Sequence, residues 1–276
     1  MSPHRNKYSA LALLLLSSWQ QQRGADAFTT LPAAQRSATS STSLAEGTGP
    51  SAAVQEPPTT DNAAATDTNL TAEEAKQALT DLIPRMTGSE EEYRAVESYV
   101  NLLEEKYSPV QTIDFLNLAL SGEWQLLFST NLTGRPNMKL RMTELVQIIE
   151  ADGFGGSLTN SAQWNYADNE EGTFNTSGIF NIKCSYTINQ GSRMVLDLDE
   201  HQLRPAKGSP VPSDVPAMCA LLERAIPQEM FHPNDHAMDT TYLDADLRIA
   251  RMAGAKYEGV RNIFFRKGQL EIKPGL

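Results

Sequence analysis

Cysteines and clustered basic residues are both scarce in this sequence. Cys184 and Cys219 are the two cysteines among 276 residues, too few for a small disulfide scaffold and not spaced as metal ligands. The 23 lysines and arginines are outnumbered by 34 acidic residues and form no basic patch, which argues against a nucleic-acid partner. A nucleophile elbow, a P-loop and a dinucleotide fingerprint are also missing. The sequence therefore predicts neither a metal site nor an organic cofactor.

Long hydrophobic runs are missing as well. The longest apolar stretch, SALALLLLSSW near the N-terminus, is clearly shorter than the roughly 20 residues that a membrane-spanning helix needs. Basic residues precede it, and Ala25-Asp26-Ala27 has the small-x-small form of a signal-peptidase site. We therefore expect residues 1–27 to be a signal peptide and the mature chain to lack a transmembrane helix.

Residues 28–69 contain almost no large apolar side chains after Leu31. Ala, Ser, Thr and Pro dominate this segment, a composition that cannot bury a core and that predicts disorder. Its Ser-rich, acid-poor start is typical of a transit peptide. With Phe28 at the junction, the two segments resemble the bipartite presequence of complex plastids, which implies a plastid protein. A secreted protein with a flexible linker is the alternative.

Two amphipathic helices are predicted over residues 71–108. Each begins with a capping box, Thr71 with Glu74 and Ser89 with Glu92. Apolar residues then recur at helical spacing, and Pro109 ends the second helix.

From Leu120 onward the apolar period changes to two, the period of strands with one buried face. We predict six to nine antiparallel strands over residues 120–270, which form a barrel or a sandwich. Cys184 falls on an apolar strand face as a buried free thiol, and Gly178 indicates a bulge or bend. A Pro-rich connection or lid, residues 207–239, interrupts the strands and contains a short helix around residues 217–225.

Strand parity selects the candidate ligand-lining residues, because small barrels hold either packed side chains or one apolar ligand. Both possibilities stay open for this chain. The candidates are Phe128, Trp164, Phe174, Phe180, Tyr186 and Leu196.

Three histidines could carry chemistry. His232 and His236 would bind one metal ion only if they shared a helix face, and Pro233 between them favours a turn, so we interpret both as solvated loop residues. His201 lies beside Asp199 and Glu200 at a predicted strand end, which favours a surface residue, with a role as acid or base as the alternative.

The stretch TYLDADLRIAR, residues 241–251, alternates with period two and is predicted as one strand. Leu243, Ala245, Leu247 and Ile249 would form its apolar face, and Tyr242, Asp244, Asp246 and Arg248 the other. The two aspartates could be a catalytic acid and base. Arg248 on the same face favours instead a charge-assisted network that stabilises the fold.

Two motifs together resemble the plastid lipid-associated proteins, also called plastid fibrillins. The first, LSGEWQLLFST, contains Leu120, Gly122, Trp124, Phe128 and Ser129 at the family's spacing. The second is TYLDADLRIAR, with Tyr242, Leu243, Asp244, Asp246, Leu247, Arg248, Ile249 and Arg251. The resemblance covers about residues 70–267. It implies a mainly β fold, a lipocalin-like antiparallel β-barrel preceded by two α-helices.

The same resemblance implies a non-enzymatic protein of plastoglobules or thylakoids that binds or organises carotenoids, quinones or fatty acids. Its partners would be apolar lipids or isoprenoids, the lipid surface itself and possible plastid proteins. It also implies that Trp124 packs against Arg248 or Arg251, with Asp244 and Asp246 holding the arginines. The alternatives are a lipid-modifying enzyme that uses Asp244 or His201, and a scaffold that binds photosynthetic proteins through its N-terminal helices.

Overall fold

The computed structural model describes residues 70–110, 112–131, 139–189 and 191–267. The predicted signal peptide, residues 1–27, and the predicted transit segment, residues 28–69, lie outside these ranges. The described chain begins with three helices: α1 (Ala72–Leu82), followed by a 3-10 turn (Ile83–Arg85), then α2 (Glu90–Lys106) and α3 (Ile113–Leu120).

Eight strands follow: β1 (Gly122–Ser129), β2 (Leu140–Asp152), β3 (Gly155–Tyr166), β4 (Thr176–Ile188), β5 (Arg193–Pro205), β6 (Ala237–Leu243), β7 (Leu247–Ala253) and β8 (Arg261–Arg266). The connection between β5 and β6 contains α4 (Val215–Ala225), α5 (Gln228–Phe231) and a 3-10 turn (Pro233–Asp235). Each strand pairs antiparallel with its neighbours in sequence, and β1 also pairs with β8, which closes the barrel. The predicted mainly β barrel is confirmed.

Both predicted capping boxes are present. The hydroxyl of Thr71 accepts a hydrogen bond from the Glu74 amide, and the Glu74 carboxylate accepts one from the Thr71 amide, which satisfies donors that a helix start leaves unpaired. Ser89 and Glu92 repeat this arrangement at α2. The helix α3 was missed, because its eight residues, IDFLNLAL, are too few and too apolar to show an amphipathic period.

The prediction of a single strand over residues 241–251 is wrong. The chain turns at residues 244–246, so β6 ends at Leu243 and β7 begins at Leu247. Leu247 and Ile249 then face outward against the helices, while Arg248 and Ala250 face the barrel interior. The outer face is also apolar here because α1 and α2 cover it, so alternation alone could not identify the interior.

Two hydrophobic clusters organise the molecule. One fills the barrel and includes α3 together with α4 and α5. The other joins the apolar stripes of α1 and α2 to the outer face of β1 and β6–β8; its members include Leu79, Val100, Leu103, Phe128, Tyr242, Leu247, Ile249, Ile263 and Phe265. The interior and one outer wall are therefore both dry, whereas an isolated barrel would bury its interior alone.

Gly178 does not mark a bulge, because the irregularity between β4 and β5 lies elsewhere and its extra residue is Asp199 of β5. Gly178 pairs regularly with Trp164 and Pro205, and the register shifts instead between Lys183 and Cys184. A Cβ atom at Gly178 would lie 2.5 Å from the Trp164 ring and 2.2 Å from a backbone oxygen. The glycine therefore makes room for the indole inside the barrel.

Candidate functional site in the barrel interior

Four of the six candidate lining residues lie in the barrel-filling cluster. Each is at most 3% exposed: Trp164, Phe180, Tyr186 and Leu196. The placement predicted for Phe128 is wrong, because a register shift after Leu126 turns its ring outward to the α2 side, 6.2 Å from Tyr93. The placement of Phe174 is also wrong, since it precedes β4 and is 40% exposed beneath Arg141. Ligand contact by the four interior residues stays a prediction.

A chain of polar side chains crosses this apolar interior. Arg248 donates from Nη1 to Gln147 Oε1 at 2.6 Å, and Gln147 donates from Nε2 to Asn160 Oδ1 at 2.9 Å. Asn160 in turn donates to the backbone oxygen of Met230 in α5 at 3.1 Å. The three side-chain partners are at most 1% exposed. In the sequence, Gln147 and Asn160 could have been found as polar residues at positions of β2 and β3 where the alternation calls for an apolar side chain.

Arg248 is buried without a carboxylate partner among the described residues. Its Nη2 lies 2.9 Å from the sulfur of Met238, its guanidinium lies 5.3 Å from the centre of the Phe264 ring, and its Nε has no hydrogen-bond partner. Burial lowers the pKa of Arg248 to about 10, and nearby Tyr186 opposes that change. The group therefore still carries a positive charge at neutral pH.

Tyr186 fastens α3 to the barrel. Its hydroxyl donates to Asn117 Oδ1 at 2.6 Å, and Asn117 donates to the backbone oxygens of Gly153 and Gly155, each at 2.8 Å. Burial raises the pKa of Tyr186 to about 12, so the hydroxyl keeps its proton and remains the donor.

A third polar group lies where β1 ends. Ser129 and Asn131 donate to the two carboxylate oxygens of Glu229, at 3.1 and 2.8 Å. Glu229 belongs to α5 and is 1% exposed, so these bonds hold α5 against the barrel.

The arginine that packs on Trp124 is Arg266, which corrects the expectation of Arg248 or Arg251. The Arg266 guanidinium lies 4.1 Å from the centre of the Trp124 ring and donates to three backbone oxygens. A Cβ atom at Gly122, where φ is 128°, would lie 2.6 Å from Arg266 Nη1, so the motif glycine leaves space for this guanidinium. Arg266 lies two residues after Phe264 in β8 and therefore on the same strand face, which is the signal in the sequence that could have identified it.

Asp244 and Asp246 bind a lysine and not the motif arginines, which corrects a second expectation. Lys76 of α1 lies 2.9 Å from Asp244 and 3.0 Å from Asp246. Arg251 pairs instead with Glu104 of α2. The aspartates therefore join a helix to the β6–β7 turn on the outside of the barrel, where they touch no interior side chain.

A family model described as PAP_fibrillin matches residues 73–257, more than half of the chain. The chain belongs to the PAP/fibrillin family. This membership and the β-barrel fit a plastid lipid-associated protein, and the family is generally structural or lipid-associated and not catalytic. No curated protein and no solved structure matches the chain. Within the described ranges of this PAP/fibrillin protein, each helix is too short or too polar to span a bilayer.

The three histidines in the described part of this PAP/fibrillin protein occupy separate environments. His232 lies 3.1 Å from Glu223, while His236 is 7% exposed, edge-on to Tyr257, with neither ring nitrogen partnered among the described residues. The interpretation of His236 as a solvated residue is therefore wrong. His201 lies inside β5, its ring 4.7 Å from that of Phe231. The described residues contain no cluster of His, Cys, Asp and Glu that could hold a metal ion.

One end of the barrel in this PAP/fibrillin protein carries exposed apolar side chains. Phe115 and Leu118 of α3 are 68% and 69% exposed, and Phe154 in the β2–β3 turn is 65% exposed. Asn117, between the first two, is bonded to the carbonyls on both sides of Phe154. These three residues, which we call the end patch, are therefore held on one rigid surface.

Proposed function

We propose that this protein is a non-enzymatic plastid lipid-associated protein that binds or organises apolar lipids at plastoglobules or thylakoids. The observation that carries the proposal is the closed barrel, whose interior is lined by Trp164, Phe180, Tyr186 and Leu196. Barrels of about eight strands are wide enough inside for one small ligand. Membership of the PAP/fibrillin family supports the same function.

We further propose that the end patch contacts the lipid surface. Phe115, Leu118 and Phe154 come from two elements that share one end of the barrel, and each would contribute about 1.5–3 kcal/mol if transferred fully from water to an apolar phase. Asp114 lies in α3 and Asp152 is the last residue of β2, next to the turn that holds Phe154, and the chain carries a net charge of −11. An acidic protein gains nothing from anionic headgroups. The patch therefore suits an uncharged lipid surface.

A flotation assay tests this contact. The full-length protein is mixed with vesicles of an uncharged lipid, and the bound fraction is compared for the triple variant Phe115→Ser, Leu118→Ser and Phe154→Ser. The matched control replaces three exposed apolar residues elsewhere, Ile179, Val195 and Val211, with serine. We expect the patch variant to bind at least tenfold more weakly and the control to bind like the wild type. Equal losses in both variants would contradict the assignment of the patch.

The two alternatives have less support from the structure. The apolar stripes of α1 and α2 are buried against the barrel, so a scaffold that binds through these helices would have only their polar faces to offer. Among the candidate proton-transfer groups, Asp244 is bound to Lys76 and to backbone amides outside the barrel. His201 packs its ring on Phe231 at the protein surface.

A further inference from the structure

Arg248 differs from two other arginines of this chain, Arg193 and Arg251, in what lies along the Nε–Nη2 edge of the guanidinium group. Arg193 directs this edge at both carboxylate oxygens of Asp239, each at 2.7 Å. Arg251 directs the same two atoms at Glu104. In Arg248, Nε has no partner and Nη2 meets only a thioether sulfur, which is a weak acceptor. The edge that matches a carboxylate thus has no oxygen as a hydrogen-bond partner among the described residues.

The position of Arg248 makes this arrangement unfavourable for the protein alone. Arg248 is 0% exposed, in contact with Phe264 and Met238. A buried cation without a counter-ion destabilises the folded protein, and an apolar residue of similar volume is often as stable or more stable at such a position. A ligand that supplies a negative charge would offset this cost.

Other interior groups also lack partners. Asn262 is 0% exposed and neither atom of its amide is hydrogen-bonded to a described residue; the same holds for Nε1 of Trp164, which is 1% exposed. Asn262 pairs with Ala250, two residues from Arg248 on the interior face of β7. Buried polar groups are normally satisfied, so several unsatisfied ones inside one apolar barrel favour a ligand with a polar head and an apolar body.

We infer that the barrel interior binds a long-chain lipid carboxylate, with the carboxylate on the Nε–Nη2 edge of Arg248 and the hydrocarbon tail among the apolar lining residues. This inference rests on the proposed binding of lipid in the barrel and narrows it to acids. One cation with one unpaired edge matches a single negative charge. A fatty acid and a carboxylated isoprenoid share this chemistry.

The test compares two probes that differ only in the head group. Oleate and oleyl alcohol are titrated by calorimetry into the full-length wild type, Arg248→Met and Arg193→Met. Methionine at position 248 removes the buried charge while it keeps an unbranched apolar side chain, so we expect this variant to fold. Arg193 is the control because Asp239 already occupies its edge at the surface.

We expect the wild type and Arg193→Met to bind oleate roughly 10- to 100-fold more tightly than oleyl alcohol, as a charge-assisted pair predicts. Arg248→Met should lose this preference and still bind the alcohol. A C20 isoprenoid acid is titrated in parallel with oleate to distinguish a fatty acid from a carboxylated isoprenoid. The acid that binds more tightly shows which kind of hydrocarbon tail the barrel prefers. If Arg248→Met does not fold, Arg248→Lys keeps the charge without the fork and should reduce the preference several-fold.

Two results would count against the inference in different ways. Equal binding of acid and alcohol by the wild type, unchanged in Arg248→Met, would overturn the carboxylate site and leave lipid binding in the barrel intact. Absence of binding for every probe would overturn the proposed lipid binding in the barrel itself and, with it, the inference.

Discussion

Asp244 and Asp246, which look equivalent in the sequence, should differ strongly in their contribution to stability. Oδ1 of Asp244 accepts from the amides of Asp246 and Leu247 at 2.9 and 2.7 Å. Its Oδ2 accepts from the Tyr242 hydroxyl at 2.8 Å and pairs with Lys76 at 2.9 Å. Asp246 offers its carboxylate only to Lys76, at 3.0 Å, among the contacts of the described residues.

These contacts set the expected magnitudes. A hydrogen bond to a charged group contributes about 1.5–3 kcal/mol when buried, but both carboxylates are about 30% exposed, and solvent reduces each contact to about 0.5–1 kcal/mol. Asp244→Ala should therefore cost about 3 kcal/mol and Asp246→Ala about 1 kcal/mol or less. Asp244→Asn keeps an oxygen for both amides and loses the charge, so we expect about 1–2 kcal/mol.

Urea unfolding of the full-length protein, followed by the change in tryptophan fluorescence as the buried Trp124 and Trp164 become exposed, measures the three values. Burial alone would raise the pKa of Asp244, but the Leu247 and Asp246 amides and Lys76 outweigh it and lower the pKa. The stability that the ionised Asp244 contributes is thus present above the unfolded pKa, about 3.9, and is lost as the pH falls through the lower folded value. Equal losses of stability in Asp244→Ala and Asp246→Ala would refute the conclusion that Asp244 is the residue that stabilises the β6–β7 turn.

Two further predictions concern buried groups. Burial lowers the pKa of His236 from 6.5 to about 4. The stability due to its neutral form is therefore complete above pH 6.5 and is lost as the pH falls towards 4, with a loss of about 2 kcal/mol by pH 5. Urea unfolding from pH 8 to 5 should show that His236→Phe lacks this loss, and parallel pH curves for the wild type and the variant would contradict the prediction. Arg266→Lys should lower the free energy of unfolding by about 1–3 kcal/mol, because an ammonium group cannot bond three backbone oxygens and cover the Trp124 ring at once. Thermal unfolding of this variant and of the control Arg193→Lys measures the difference. An equal effect of both changes would argue against a special role for Arg266.

Much of the fold follows from local signals. The capping boxes at Thr71 and Ser89 place both long helices, and the period of two predicts the strands that form the barrel. The helix α4 coincides with the helix predicted around residues 217–225. These features depend on hydrogen bonds and side-chain alternation within a few residues, so neighbouring sequence is sufficient to predict them.

The residues that face the barrel interior were harder to predict. Alternation along a strand separates its two faces but does not say which face points into the barrel. Phe128 follows a register shift and changes sides, and Arg248 follows a turn that the alternation of residues 241–251 conceals. The polar contacts between Gln147, Asn160 and Arg248 join residues 13 and 101 positions apart. No local pattern carries information about such pairs.

The sequence by itself determined the class of this protein: a PAP/fibrillin chain with helices before an antiparallel barrel, because periodicity, caps and two motifs are local properties. Only the tertiary structure decided which residues occupy the interior and which charges are paired there. Barrel closure brings β8 beside β1, and the packing of α1 and α2 makes one outer wall apolar. The motif aspartates thereby meet Lys76, while Arg248 is enclosed without a carboxylate partner among the described residues, since burial and pairing depend on contacts between distant segments.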